Sequence, residues 1–394
     1  MTAPTQGLSM QRELSGAVAD LGVLVPIAVA LIVKNGLSAT AVLLPAGLLY
    51  VAVAMVYRLP VAVQPLKAVG AIAIASGLGA DEIAAAALMI GGIFVALGAT
   101  GLIDHLGRAF PRALIRGVQL TVGLLFLKVA WGLVADPPSS FENDALAPEW
   151  AVPLGVAVVV LALVFRRRPI ALALVATGVA VMLVDSGGFP SFGPSALEFP
   201  SLSATTFAAA FTALVIPQLP LTFANSCLAP ADAARTYFGA RASRITPGRL
   251  ALTLGSANLF SGAIAGMPVC HGAGGLTAHY AFGARTGRAP LAIGLTLLVV
   301  ALSVGSGLAV VLTAFPLSIL AGLLAIAGLL HIGLLRDLRG AREWSLAIVV
   351  GAFGFGLNLA VALAVGLLLR WVPELLGRIR SRAWTSRLSL RSPR

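Results

Sequence analysis

The sequence predicts an all-α polytopic membrane protein of about 14 transmembrane segments in a 7+7 inverted repeat, and three observations carry that expectation. The first is composition. Apolar side chains make up 59% of 394 residues, charged ones 11%, and mean hydropathy is +0.98, far outside the range of a water-soluble fold. The second is run length: no Asp, Glu, Lys or Arg falls between Arg288 and Arg336, enough for two spans of ~20 residues around a turn at Ala314, Phe315 and Pro316. Such uniformly apolar runs argue for helices, because a membrane barrel alternates apolar and polar residues in segments of about ten. The third is an internal echo, "LPVAVQP" at 59–65 against "MPVCHGA" at 267–273, an offset of 208 residues.

In chain order, apolar runs and their breaks give spans at 16–34, 38–57, 61–78, 83–103, 113–134, 150–165, 169–186, 204–226, 248–264, 267–283, 290–312, 316–335, 343–355 and 357–372. A polar segment with Arg12 and Glu13 precedes the first run and no small-residue cleavage site follows it, so it reads as a retained helix rather than a signal peptide. Cys227 and Cys270 lie in or beside apolar runs and suggest buried small side chains, not a disulfide framework.

The net charge of +12 is a topology signal. Even-numbered loops hold Arg58; Arg108, Arg112 and Arg116; Arg166 to Arg168; Arg235, Arg241, Arg244 and Arg249; Arg285 and Arg288; Arg336, Arg339 and Arg342. Odd-numbered loops hold Lys34 among the acids Asp81, Glu82, Asp136, Glu142, Asp144, Glu149, Asp185 and Glu198. Both termini are therefore expected in the cytoplasm of a plasma or inner membrane. Residues 377–394 are expected to form a basic, lipid-facing tail after a single transporter unit at 1–376. Nucleic acid is not an expected partner.

The two echoing motifs each follow two spans in their half. Because seven is odd, the second copy enters the membrane in the opposite sense, which inverts the repeat. Each opens with proline and a β-branched residue, so the chain should run extended before turning helical. After it, "GAGGLTAHYAFG" leaves 12 residues. Twelve helical residues rise roughly 18 Å, too little for a ~30 Å hydrocarbon core. Such half-helices, in spans 3 and 10, would start near the midplane and aim backbone N–H groups and the positive ends of their dipoles at one point. That is an anion site, with Gly272, Gly274 and Gly275 allowing close approach. The same glycines would also serve helix packing.

Several side chains bear on the ligand. Lys67 is a cation in an apolar segment, either aimed at an anion or snorkelling or paired with Asp20. Gln64 offers an amide at the strand-to-helix turn. In span 8, "IPQLPLTFANS", Pro217 and Pro220 should break helical regularity, while Gln218 and Asn225 place amides seven residues apart on one face or act as interhelical glue. Asp20 is a proton relay, a partner for Lys67 or an interfacial cap; His271 is a second proton-coupling candidate or a buried neutral imidazole. Lys128, His279 and His331 are weaker cases, and Arg370 is read as interfacial. Metal-ligand spacing, a Walker loop, a nucleophile elbow and paired carboxylates do not stand out, so no metal, cofactor or enzymatic activity is expected.

"ELSGAVADLGVLVPI" at 13–27, "LPVAVQPLKAVGAIA" at 59–73, "LPLTFANSCLA" at 219–229 and "GMPVCHGAGGLTAHYAFGARTG" at 266–287 resemble the molybdate transporters of the sulfate-permease superfamily, in the branch without a STAS domain. The resemblance implies a fold shared with sulfate permeases and nucleobase symporters, with a core domain near 13–106 and 204–313 and a gate domain near 107–203 and 314–376. It also implies alternating-access import of a tetrahedral oxyanion, molybdate first, with sulfate and tungstate as related ions, and protons as a coupling partner. Membrane lipid and a second copy of the chain, as a homodimer, complete the expected partners. The expected substrate site comprises Gln64, Pro65, Lys67, Gln218, Asn225, Cys270, His271, Gly272, Ala273 and Gly274, with Asp20 and His271 for proton coupling. The alternatives are a sulfate or other anion transporter or channel of the same fold, and a nucleobase symporter, which would be expected to place a carboxylate in span 8 or 10.

Overall fold

The computed structural model describes residues 10, 13–14, 17, 21–103, 111–137, 146–164, 170–185, 191–281, 283–357, 359 and 361–372. Helices α1 (Leu21–Val33) and α2 (Ala39–Val56) come first, the second capped by the Ser38 hydroxyl, which accepts from the Ala41 N–H. The chain then extends through β1 (Val63–Pro65) into the short α3 (Lys67–Ser76), which ends at Gly77 in the left-handed region with φ of 62°. Asn35 secures that end by donating to the carbonyls of Ala73 and Leu78, both at 2.9 Å. Helices α4 (Ala80–Thr100), α5 (Arg112–Ala135), α6 (Pro148–Val164) and α7 (Ile170–Asp185) follow.

A single helical rod spans Ala204–Arg244. It runs through α8 (Ala204–Ala210), a π segment (Phe211–Val215), α9 (Ile216–Leu221), a second π segment (Thr222–Leu228), α10 (Ala229–Phe238) and a 3-10 turn (Gly239–Arg244). Pro217 and Pro220 therefore loosen the helix without breaking it. A proline lacks an N–H and crowds the carbonyl four residues back, and the wider π turns on either side absorb both defects.

Beyond the rod lie α11 (Pro247–Ala263), β2 (Val269–His271), the short α12 (Ala273–Ala281), α13 (Arg288–Ser303) and α14 (Gly305–Leu312). Last come α15 (Leu317–Ile332), α16 (Gly340–Gly356) and α17 (Val361–Val372). The expected straight span at 290–312 is instead bent by 90° between α13 and α14. The cause is tertiary: Gly193 donates to Ser303 O at 2.7 Å and accepts from Ser306 N at 2.9 Å, so a distant segment satisfies the backbone groups freed at the bend. Gly305 makes the close approach possible, since a Cβ there would lie 2.2 Å from the Thr40 hydroxyl.

The described chain is mostly helical, and the two three-residue strands are its departure from an all-helical fold. Among the described residues, α2, α4, α5, the rod and the stretch Leu317–Asp337, in which a 3-10 turn extends α15, are each long and apolar enough to cross a membrane alone; other apolar helices are shorter. Packing is pairwise. Helix α4 lies on α11 and α2 on α13, while α15 and α16 pack on α5 and α15 also on α6. Small residues set these distances: a Cβ on Gly91 would meet Gly255 O at 2.9 Å, and one on Gly123 would meet Gly328 O at 2.7 Å.

Candidate substrate site

Strands β1 and β2 pair antiparallel, with Val63 opposite His271, Gln64 opposite Cys270 and Pro65 opposite Val269. Helices α3 and α12 each begin two residues beyond their strand, at opposite ends of the pair. Both strands are buried, so their backbone groups must be satisfied within the protein. Leu66 N donates to Pro268 O at 2.9 Å, so Pro65 and Val269 face each other as a non-hydrogen-bonded pair and the backbone groups of Val269 point away from β1. Asn258 of α11 meets them there: its Oδ1 accepts from Val269 N at 2.9 Å and its Nδ2 donates to Val269 O at 2.7 Å. Asn258 escaped the sequence reading, although a carboxamide inside the apolar stretch "LGSANLFSG" was the available signal.

The first turn of α3 carries two polar features. Gln218, buried on α9, turns its Oε1 toward that turn and accepts from Ala68 N at 2.9 Å and Val69 N at 3.2 Å. Its Nε2 donates to the Thr222 hydroxyl at 3.0 Å, which fixes the amide's orientation. A side-chain oxygen thus satisfies N–H groups that no residue beside the helix caps. Lys67, half-buried at the first helical position, donates from Nζ to Gln64 Oε1 at 2.5 Å. A cation at a helix N-terminus adds to the positive end of the dipole, an arrangement that disfavours itself and favours an anion.

Gln64 bridges the two half-helices. Its amide lies against Gly272, where a Cβ would fall 2.1 Å from Oε1, so no larger residue fits without moving it. The turn that follows, Ala273, Gly274 and Gly275, carries no polar side chain, and a Cβ on Gly274 would meet nothing within 4 Å.

His271 is tied at both ring nitrogens, Nε2 to the Thr253 hydroxyl at 2.8 Å and Nδ1 to Ala62 O at 3.3 Å. Thr253, half-buried, is also 2.8 Å from the Tyr57 hydroxyl, so the buried imidazole belongs to a chain of polar groups beside the strands. The Cys270 thiol donates to Pro65 O at 3.5 Å, and the side chains of Cys227 and Cys270 are both buried. Asn225, in the second π segment, is half-buried. Asp20, and with it the pairing with Lys67, lies outside the described residues, as do Arg108, Arg166 to Arg168 and the 377–394 tail. The structure thus gathers Gln64, Pro65, Lys67, Gln218, Cys270, Gly272, Ala273 and Gly274 around one crossing and sets His271 behind it. Among the polar side chains gathered there, Gln64, Lys67 and Gln218, one is a cation and none a carboxylate.

The whole arrangement has relatives. A family model described as "Molybdate transporter of MFS superfamily" matches residues 12–126 and 210–330, more than half of the chain. Molybdate transporter 1 of Arabidopsis thaliana is 28% identical, covering 92% of this chain and 88% of its own length. Molybdate transporter 1 of Chlamydomonas reinhardtii is 27% identical, covering 90% of each. Among solved structures, the transmembrane domain of the cyanobacterial bicarbonate transporter BicA superposes with a TM-score of 0.62 at 17% identity, over 93% of this chain and 98% of that one. The murine anion transporter Slc26a9 in its inward-facing state gives 0.66 at 15% identity, over 95% and 70%. These structural likenesses show a shared membrane-transporter fold, and with the family match they make this chain an integral multi-pass membrane protein belonging to the molybdate transporter family.

Proposed function

We propose that the chain is a secondary active transporter that imports molybdate by alternating access, binding the oxyanion between the first turns of α3 and α12. The observation that carries this reading is the crossing itself. Two interrupted spans bring backbone donors, one ammonium and neutral amides together without a carboxylate, as a tetrahedral dianion requires. Gln218 Oε1 acts as an internal stand-in at the Ala68 and Val69 N–H groups, and an arriving oxyanion oxygen takes its place. The relatives named molybdate transporters support molybdate over other ions of the same shape.

Fourteen spans in a 7+7 inverted repeat belong to the same proposal, and the packing supports it. Exchanging each span with the one seven later converts the α4–α11 pair into the α13–α2 pair, and the α5–α16 pair into the α15–α6 pair. The β1–β2 and α5–α15 pairs map onto themselves. Helices α2, α4, α11 and α13 then belong to a core unit (13–106 and 204–313), and α5, α6, α15 and α16 to a gate unit (107–203 and 314–376) that moves against it. Both termini face the cytoplasm of the plasma or inner membrane, and His271 or Asp20 couples transport to protons.

Uptake of labelled molybdate into proteoliposomes tests the reading, with tungstate, sulfate and uracil as competitors and the proton gradient imposed or collapsed. Saturable uptake blocked by tungstate, indifferent to uracil and driven by an inward proton gradient is the expected result. Uptake that does not saturate would make the protein a channel, and competition by uracil would make it a nucleobase carrier.

A further inference from the structure

Three segments that the arginine distribution assigns to one side of the membrane meet around a single cavity of about 420 Å³, remote in sequence from the strand crossing. Arg112 comes from the start of α5, Arg342 from the first turn of α16 and Arg370 from the end of α17; Leu346 and Leu369 contribute to an apolar wall below them. That volume is within the ~300–1,000 Å³ of ordinary small-ligand sites.

One carboxylate, Glu343, lines the cavity, and a second, Asp337, is paired nearby. Glu343, also in the lining, accepts from its own helix's Arg339 N at 2.7 Å. Asp337 accepts from Arg116 Nε at 2.8 Å and forms an ion pair with the same guanidinium. Among the described residues, neither Arg112 nor Arg342 is in an ion pair. Three guanidinium groups against the one Glu343 carboxylate leave the lining with an excess of positive charge over an apolar floor. Its depth is marked independently: Trp344 and Trp371, neighbours of the lining residues, are 39% and 40% exposed, as indole rings at a membrane–water interface are.

We infer that this cavity binds a phosphate-bearing anion, supplied by an anionic phospholipid whose headgroup sits among the three arginines and whose acyl chains leave along the apolar wall. A basic mouth, an apolar floor and headgroup depth match the two ends of one amphiphile. Free phosphate would satisfy the arginines but not the wall. The inference is independent of which ion the protein carries.

The test uses the purified full chain in neutral detergent, titrated with short-chain phosphatidylglycerol, phosphatidylcholine or inorganic phosphate, and read by native mass spectrometry and by the shift in unfolding temperature. Phosphatidylglycerol should bind and stabilise while phosphatidylcholine does neither. Each arginine contributes about fivefold, so R112Q/R342Q/R370Q should weaken phosphatidylglycerol on the order of a hundredfold. Removing the same charge outside the cavity, in R235Q/R244Q/R288Q, should leave binding intact. R342Q alone, at an exposed position, should lose about fivefold and serves if the triple variant does not fold. Inorganic phosphate that binds as tightly as the lipid would overturn the lipid source. Phosphatidylcholine binding equal to phosphatidylglycerol, or unchanged lipid binding in folded R342Q, would overturn the site.

Discussion

Helices α3 and α12 leave the same strand crossing from opposite ends, yet their first turns are built differently. In α3 the donors of Ala68 and Val69 already hold an acceptor, the Gln218 amide, and Lys67 adds a full charge beside them. The corresponding turn of α12 is Ala273, Gly274 and Gly275, which offers only backbone and faces open space at Gly274. The difference separates two tasks that an anion site must perform. In the proposed site, the α3 side would provide charge and an acceptor that can be displaced, and the α12 side would provide shape. Gln64 holds the two together, in contact with Lys67 and with Gly272.

The largest effect should come from making the internal acceptor permanent. Gln218→Glu sets a carboxylate at the two N–H groups, where it competes with the dianion and repels it. Charge-assisted hydrogen bonds contribute about 1.5–3 kcal/mol each, so molybdate affinity, measured by calorimetry on purified protein, should fall at least about a hundredfold. Near-normal affinity would mean that the α3 turn is not where charge is recognised. Lys67→Ala comes next, with an expected loss of about ten- to a hundredfold, steeper at low salt because the interaction is electrostatic. A loss independent of ionic strength would assign Lys67 to packing.

Much of this contrast is legible in the sequence, for physical reasons. Apolar run length reports the membrane directly, and proline followed by glycines inside such a run reports an interrupted helix, so residues 59–73 and 266–287 pointed at the crossing on local grounds. What stayed hidden depends on partners distant in sequence. The Gln218 amide meets α3 across 150 residues, and nothing local distinguishes a ligand-facing glutamine from one that caps another helix. The bend between α13 and α14 follows from Gly193, more than a hundred residues earlier, and so could not be read from the apolar run around Val304. The prolines of the rod did mark where α-helical regularity is lost; that the loss takes the form of π turns rather than a break in the chain is a tertiary accommodation of the local defect.

Shape on the α12 side can be tested by two alanines placed two residues apart. Gly272→Ala forces a methyl into the Gln64 amide, and overpacking of this kind costs about 1–3 kcal/mol. Affinity should drop about tenfold through the displaced amide. Gly274→Ala places the same methyl in open space and should change affinity less than about twofold by the same reasoning. Equal effects in the two variants would erase the distinction between a braced glycine and a lining one.

An effect on stability more than on binding should come from Asn258, whose hydrogen bonds go to β2 and its own helix and which acts on the crossing between the half-helices. Its carboxamide serves Val269, whose backbone N–H and C=O both face away from β1, so Asn258→Leu would keep the volume and orphan a buried N–H and C=O. An unmet buried donor or acceptor costs about 1–3 kcal/mol. The apparent unfolding temperature should fall by a few degrees, since roughly 2–4 °C per kcal/mol holds for chains of about 150–250 residues and the shift shrinks as the chain lengthens. Molybdate affinity should fall only a few fold, because both helix starts keep their own donors. An asymmetric outcome is the informative one. If Asn258→Leu weakened binding as much as Gln218→Glu does, the register of the strand pair, rather than the chemistry of the α3 turn, would set recognition, and the two half-helices would have to be regarded as one rigid unit.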